Sequence, residues 1–171
     1  ALFAKEYYSK VEPYEILTIS ANVSGQVTFA DEKREGTVLG KKAYVKIDDK
    51  LDRIELSNVN KRITLLKNTL KLNESMKKNY EEILAKKQKN YDNIKALKTK
   101  SVIEKDREFY DVVATQNTLI STAKEVDNLK VQINDLNLRA AQLRKSIADK
   151  SLSANAHVLY AINVTEGQVV N

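Results

Sequence analysis

The sequence predicts an α+β protein in which a long antiparallel coiled-coil hairpin is inserted into a small β-domain. Three observations carry this. The 171 residues include four Gly and one Pro, and none of these lies between Leu51 and Ser153. Within that stretch apolar residues recur in steps of three and four. On either side of it the same turn phrase occurs, Glu35-Gly36-Thr37-Val38 before and Glu166-Gly167-Gln168-Val169 after. A stretch of about a hundred residues without a breaker does not fit a domain with many turns; it fits very long helices.

The first segment, residues 1–48, reads as strands from about Tyr14 onward. Ile16-Leu17-Thr18-Ile19 is rich in β-formers, and Ser24-Gly25 punctuates before Val27, Thr28 and Phe29. Glu35-Gly36 turns into Val38, Gly40 turns again, and Tyr44-Val45-Lys46-Ile47 alternates towards Asp48. Short runs bounded by turn residues every ten positions or so predict a small β-domain.

The second segment, residues 49–150, is helical. Val112, Thr115, Leu119, Thr122, Val126, Leu129, Ile133, Leu136, Ala140, Leu143 and Ile147 alternate steps of three and four without a slip, a heptad seam. Upstream, Leu56, Val59, Ile63, Leu66, Leu70, Tyr80, Leu84, Tyr91 and Ile94 keep one register, with Asn73, Lys77 and Lys87 as polar interruptions. A seam this narrow buries a single stripe, so each arm needs the other, and at 1.5 Å per residue each arm reaches about 70 Å. The reversal falls between Ala96 and Glu104, with the tip near 97–103. Ser101-Val102-Ile103-Glu104 is a capping box that restarts a helix there. Asp48 or Asp49 starts the first arm, and Asp52 adds a further acid to its first turn.

The third segment, residues 151–171, returns to strand: Val158, Tyr160, Ile162 and Val164 alternate, and Glu166-Gly167 turns into Val169-Val170. The shared Glu-Gly-x-Val phrase predicts two halves of one β-fold separated by the coiled coil.

Composition narrows the chemistry. Without Cys there are no disulfides, thiolate metal sites or cysteine nucleophiles, and a single His, His157, leaves carboxylates alone to hold a metal. No apolar run is long enough to span a bilayer. The net charge of +6 does not predict nucleic-acid binding, because Lys and Glu interleave along helical faces as on a solvated coiled coil. The excess is local. From Lys67 to Lys100 ten Lys face only Glu74, Glu81, Glu82 and Asp92, so one arm is basic towards its far end. That arm reads as a solvated face, with acidic groups on a partner channel or a neighbouring protomer as the alternative. His157 is expected on a strand face, Ser101 as a helix cap before a nucleophile, and Tyr80 and Tyr91 as seam packing. No catalytic residue, cofactor or metal ligand is expected.

This layout resembles the periplasmic adaptor, or HlyD-type membrane fusion protein, family, in which a helical hairpin separates the halves of a lipoyl-like (biotinyl-like) β-sandwich. Ala21, Ser24-Gly25-Gln26-Val27, Glu35-Gly36-Thr37-Val38, Gly40 and Val45-Lys46-Ile47-Asp48 match the first half-motif, and Ala154 and Glu166-Gly167-Gln168-Val169 match the second. At the tip, members that dock to TolC-like channels carry Arg, then Leu four residues on, then a Ser-x-x-Glu-x-Asp phrase. Here Ser101, Glu104 and Asp106 match that phrase, Ile94 stands at the Leu position, Tyr91 lies inside the motif, and Asn90 occupies the Arg position. Arg offers a charged planar fork and Asn a short neutral amide. The family's second half has Ala-Pro and an Asp-Gly turn where this chain reads Ala154-Asn155-Ala156-His157.

The resemblance implies a periplasmic, non-enzymatic subunit of a tripartite efflux or secretion system. Its partners would be an inner-membrane transporter, a TolC-like outer-membrane channel meeting Asn90, Tyr91, Ile94, Ser101, Glu104 and Asp106, and further copies of itself. It also implies β-barrel and membrane-proximal domains, and an inner-membrane anchor in a segment outside these residues, whose tail Ala1-Leu2-Phe3-Ala4 would be. Two alternatives compete. A prefoldin-like coiled-coil chaperone or scaffold has helices at its termini and strands between, the reverse of this order. A lipoyl or biotin carrier domain would modify Lys50, which the hairpin reading makes an ordinary first-turn residue.

Overall fold

The computed structural model describes Lys10 and residues 12–170, so the reading of Ala1-Leu2-Phe3-Ala4 lies outside the described residues. The chain divides into two compact units, Ala1–Lys50 with Ser146–Asn171, and Leu51–Lys145.

Among its described residues the first unit holds four short strands, β1 (Gly25–Ala30), β2 (Val45–Ile47), β3 (Ser151–Leu152) and β4 (Val169–Val170), in the order β3-β2-β1-β4 with every neighbouring pair antiparallel. β1 meets β2 through Val27↔Ile47 and Ala30↔Val45, with a bulge between Val27 and Phe29. A second ladder joins residues 36–39 to 156–159 around the Val38–Val158 bridge.

The repeated turn phrase makes the same contact twice. The Gly36 amide donates to the Leu159 carbonyl (2.7 Å) and the Leu159 amide donates to the Thr37 carbonyl (3.0 Å). Likewise the Gly167 amide donates to the Val27 carbonyl (2.8 Å) and the Val27 amide donates to the Gln168 carbonyl (2.8 Å). Both glycines sit at positive φ, 79° and 89°, a region that costs side chains with a Cβ. Each turn thus pairs with a strand from the other side of the helical segment in sequence. The two residues gripped in this way, Val27 and Leu159, are both buried.

The core draws on both halves: Val27, Leu39, Tyr44 and Val45 from the first, Ala154 and Leu159 from the second. Leu152, Ile162, Val164 and Val170 pack against it. Each buried aliphatic side chain contributes about 1.5–3 kcal/mol, and neither half assembles this cluster alone.

Two strand expectations are corrected. Ile16-Leu17-Thr18-Ile19 joins no strand, and Ile16, Leu17 and Ile19 are exposed. β-propensity reflects a fit to a pleated, half-buried surface, and this run has no sheet neighbour among the described residues. The alternation read from Val158 also slips. Leu159 is buried while Val158 and Tyr160 are exposed, and inward positions resume at Ile162 and Val164. A one-residue shift exchanges the two faces of a strand. The turn before it places Ala156 in the left-handed region at φ 64°.

The second unit is a helical pair. α1 spans Lys50–Ala96 and α2 spans Val102–Asp149, 47 and 48 residues. At the start of α1 the Asp48 carboxylate accepts the Lys50 amide at 3.0 Å. On α2 the seam residues Val112, Thr115, Thr122, Val126, Leu129, Ile133, Ala140 and Leu143 are buried, and Leu119, Leu136 and Ile147 are half-buried. On α1, Ile63 is buried and the other seam positions are half-buried, Asn73, Lys77 and Lys87 included. Arg139 pairs with Glu55 (Nε to Oε1, 2.8 Å), Lys130 with Glu74 (3.4 Å) and Lys87 with Asp111 (2.8 Å), fixing the arms as antiparallel neighbours.

Candidate functional site

The turn between the arms is the best-defined polar site outside the two cores. α1 closes where the Leu97 amide donates to the Ile94 carbonyl (3.0 Å). α2 opens at Ser101, whose hydroxyl accepts the Glu104 amide at 3.3 Å, while the Glu104 carboxylate accepts the Ser101 amide at 3.0 Å. The Ser101 hydroxyl also donates to that carboxylate (3.1 Å), and Lys100 holds its other oxygen at 2.9 Å. This reciprocal box satisfies donors that a helix start otherwise leaves open. The Lys100 hydrogen bond, then those from Ser101, then the Lys100 charge, hold the exposed Glu104 carboxyl down at about 2.

Behind the turn an aromatic cluster flanks the seam. The Tyr91 ring lies 5.7 Å from that of Phe109, which lies 5.8 Å from Tyr110, and the Lys95 ammonium stands 5.8 Å over Tyr91. Deeper in, Lys87 donates to the Thr115 hydroxyl (3.0 Å) as well as to Asp111, and the Thr115 hydroxyl donates to the Asp111 carbonyl (2.9 Å). No buried polar side-chain atom among the described residues is left without a partner.

The structure brings Ser101 and Glu104 together in the cap and sets Tyr91 and Ile94 half-buried on the seam. Asn90 and Asp106 are exposed, on α1 and α2 respectively. Sequence reasoning passed over Phe109 and Tyr110, because an aromatic beside a seam position carries no periodic signal, and it counted Lys95 only among the lysines of the basic arm. It marked Lys87 as an interruption; the polar layer with Asp111 and Thr115 needed the register between the arms. Exposed Val102 and Ile103, in the first turn of α2, add an apolar surface at the tip. Lys50 opens α1 and is not placed in the tight strand-to-strand turn of a carrier lysine. His157 contributes its carbonyl to the second ladder, accepting from Leu39 (2.7 Å), and is exposed. Among the described residues no cluster of metal-ligating side chains occurs, and no helix is long and apolar enough to cross a membrane.

No family model matches the sequence, and no curated protein matches it. Among solved structures, the periplasmic adaptor protein EmrA is similar over 93% of this chain and 69% of its own, with a TM-score of 0.56 and 15% sequence identity. What is shared is the fold. Two long helices and a small antiparallel sheet are compatible with an adaptor-like α+β architecture.

Proposed function

We propose that this chain is the hairpin-bearing part of a periplasmic adaptor, a non-enzymatic subunit that links an inner-membrane transporter to a TolC-like outer-membrane channel in an efflux or secretion system. The observation that carries the reading is the exchanged pair of Glu-Gly-x-Val turns. The halves before and after the helices grip each other through equivalent hydrogen bonds, the arrangement expected of a lipoyl-like sandwich split by a hairpin. The EmrA likeness in fold supports it. Two seam-packed helices are stiff along their length and carry position over about 70 Å without chemistry. In this reading the Ser101–Glu104 cap holds the tip in shape for the channel, and energy comes from the transporter.

Cysteines introduced by Asn90→Cys, and by Thr99→Cys in the turn, test the docking in a chain that has no native thiol. Crosslinks to a co-expressed TolC-like channel are expected, and Asn90→Arg strengthens the contact if a charged fork is what the site favours. Absence of any crosslink from variants with unchanged helical content overturns the tip-to-channel contact.

A further inference from the structure

The register between the arms divides the seam into two unlike parts. Glu55 meets Arg139 (2.8 Å), Asn60 meets Arg144 (3.5 Å) and Glu74 meets Lys130 (3.4 Å) across the pair. With Leu56, Ile63 and Lys77 at heptad position a on α1, and Val112, Leu119 and Val126 at a on α2, these pairs set each a residue opposite a d residue of the other arm. Leu56 then faces Leu143. The four layers that follow, ending with Leu70 and Leu129, are likewise aliphatic on both sides.

Beyond Leu70 the layers change character. Asn73 faces Val126, Lys77 faces Thr122, and so on until Ile94 faces Lys105. Of these seven layers, only Tyr80 with Leu119 sets two large apolar side chains against each other; every other has Asn, Lys, Thr or Glu on at least one side. A layer of that kind removes less apolar surface from water than an aliphatic one.

The polar groups do not compensate by bonding across the seam. The Asn73 amide donates to the Thr69 carbonyl (3.1 Å), Lys77 pairs with Glu81 (3.8 Å), and the Thr122 hydroxyl donates to the Thr118 carbonyl (2.9 Å), each within its own helix. Past Glu74, Lys87 is the one side chain among the described residues whose polar bonds reach the other arm, to Asp111 and Thr115. That ion pair is partly exposed, and such pairs add little.

We propose that the hairpin opens in two steps: residues 77–94 part from residues 105–122 under native conditions while the five aliphatic layers stay closed. The boundary is the Asn73–Val126 layer. This opening is a property of the hairpin itself and does not rest on the adaptor reading. It makes the closed distal part a state that a partner gripping both arms selects.

Native-state hydrogen exchange on the intact chain reads both steps. The Leu84 and Leu119 amides should share one opening and exchange at least about tenfold faster than those of Leu66 and Ile133, the ratio that one buried aliphatic side chain sets. Ile63→Val, within the aliphatic layers, should speed exchange at Leu66 and Ile133 about fivefold. Leu84 and Leu119 should keep their rates, because their opening leaves the Ile63 layer closed. Lys77→Leu with Thr122→Val makes a polar layer aliphatic and should slow Leu84 and Leu119 by about tenfold. Protection that is uniform along the arms, or that declines evenly from Leu56 to Ile94, overturns the proposal. So does an Ile63→Val effect of equal size at Leu84 and Leu119, or distal exchange unchanged by the double substitution.

Discussion

Removing the Ser101 hydroxyl isolates the tip cap from the rest of the hairpin. Ser101→Ala deletes the acceptor of the Glu104 amide (3.3 Å) and one donor to the Glu104 carboxylate (3.1 Å), but leaves the Lys100 bond and the Ser101 amide bond in place. Loss of a Ser cap to Ala costs about 1 kcal/mol, against a few tenths for Gly. Since 1.4 kcal/mol is tenfold in an equilibrium constant, local opening at the turn should rise about fivefold. Native-state hydrogen exchange reads this directly: the Ile103, Glu104 and Lys105 amides should exchange about fivefold faster, with no change at mid-helix amides such as that of Leu129. Ser101→Thr should restore protection. The same site sets a pH dependence. Glu104 titrates at about 2, below its unfolded value, so its contribution is complete above the ordinary carboxylate range and is lost as pH falls through about 2. Protection at the turn should thus persist at about pH 4, close to the free Glu value, and fade towards the folded value. In Ser101→Ala the carboxyl midpoint rises, yet stays below the ordinary range because the Lys100 hydrogen bond, its largest cause, remains. Unchanged exchange at Glu104 in Ser101→Ala, or a parent Glu104 carbon resonance titrating in the ordinary range, would refute the reciprocal cap.

Two further substitutions test the β-unit and the seam. At Gly25, φ is +155° and an added Cβ would lie 2.7 Å from Ile47 Cγ2, a buried branch with little room to give. Gly25→Ala should cost about 2–4 kcal/mol from backbone strain and overpacking together, seen as a lower urea midpoint; a cost within about 0.5 kcal/mol, the range of an ordinary surface change, would contradict the close approach. Lys87→Leu exchanges a partly exposed ion pair, worth about 0.2–1 kcal/mol, for aliphatic burial at a seam position worth more. The urea midpoint should rise by the equivalent of about 1 kcal/mol, while register specificity falls; a lower midpoint would mean that the Asp111–Thr115 layer outweighs packing.

The sequence alone determined what depends on local periodicity and backbone chemistry. Steps of three and four without Gly or Pro specify two helices and one seam, because residues that far apart share a helix face whatever surrounds them. Ser101-x-x-Glu104 specifies its own cap, since all four groups lie within one turn. Gly36 and Gly167 were legible as turns because each position calls for positive φ.

Tertiary structure decided what depends on partners far apart in the chain. Ile16 to Ile19 carries strand propensity but lacks a sheet neighbour among the described residues, and Val158 yields its inward place to Leu159, because a strand's face is set by the strands it meets. Equally, Lys87 became a cross-arm ligand of Asp111 and Thr115 only once the arms had a register. The repeated Glu-Gly-x-Val phrase suggested two β-halves. That each half grips the other, Gly36 on Leu159 and Gly167 on Val27, required the fold, because hydrogen bonds between residues more than a hundred positions apart leave no local trace in the sequence.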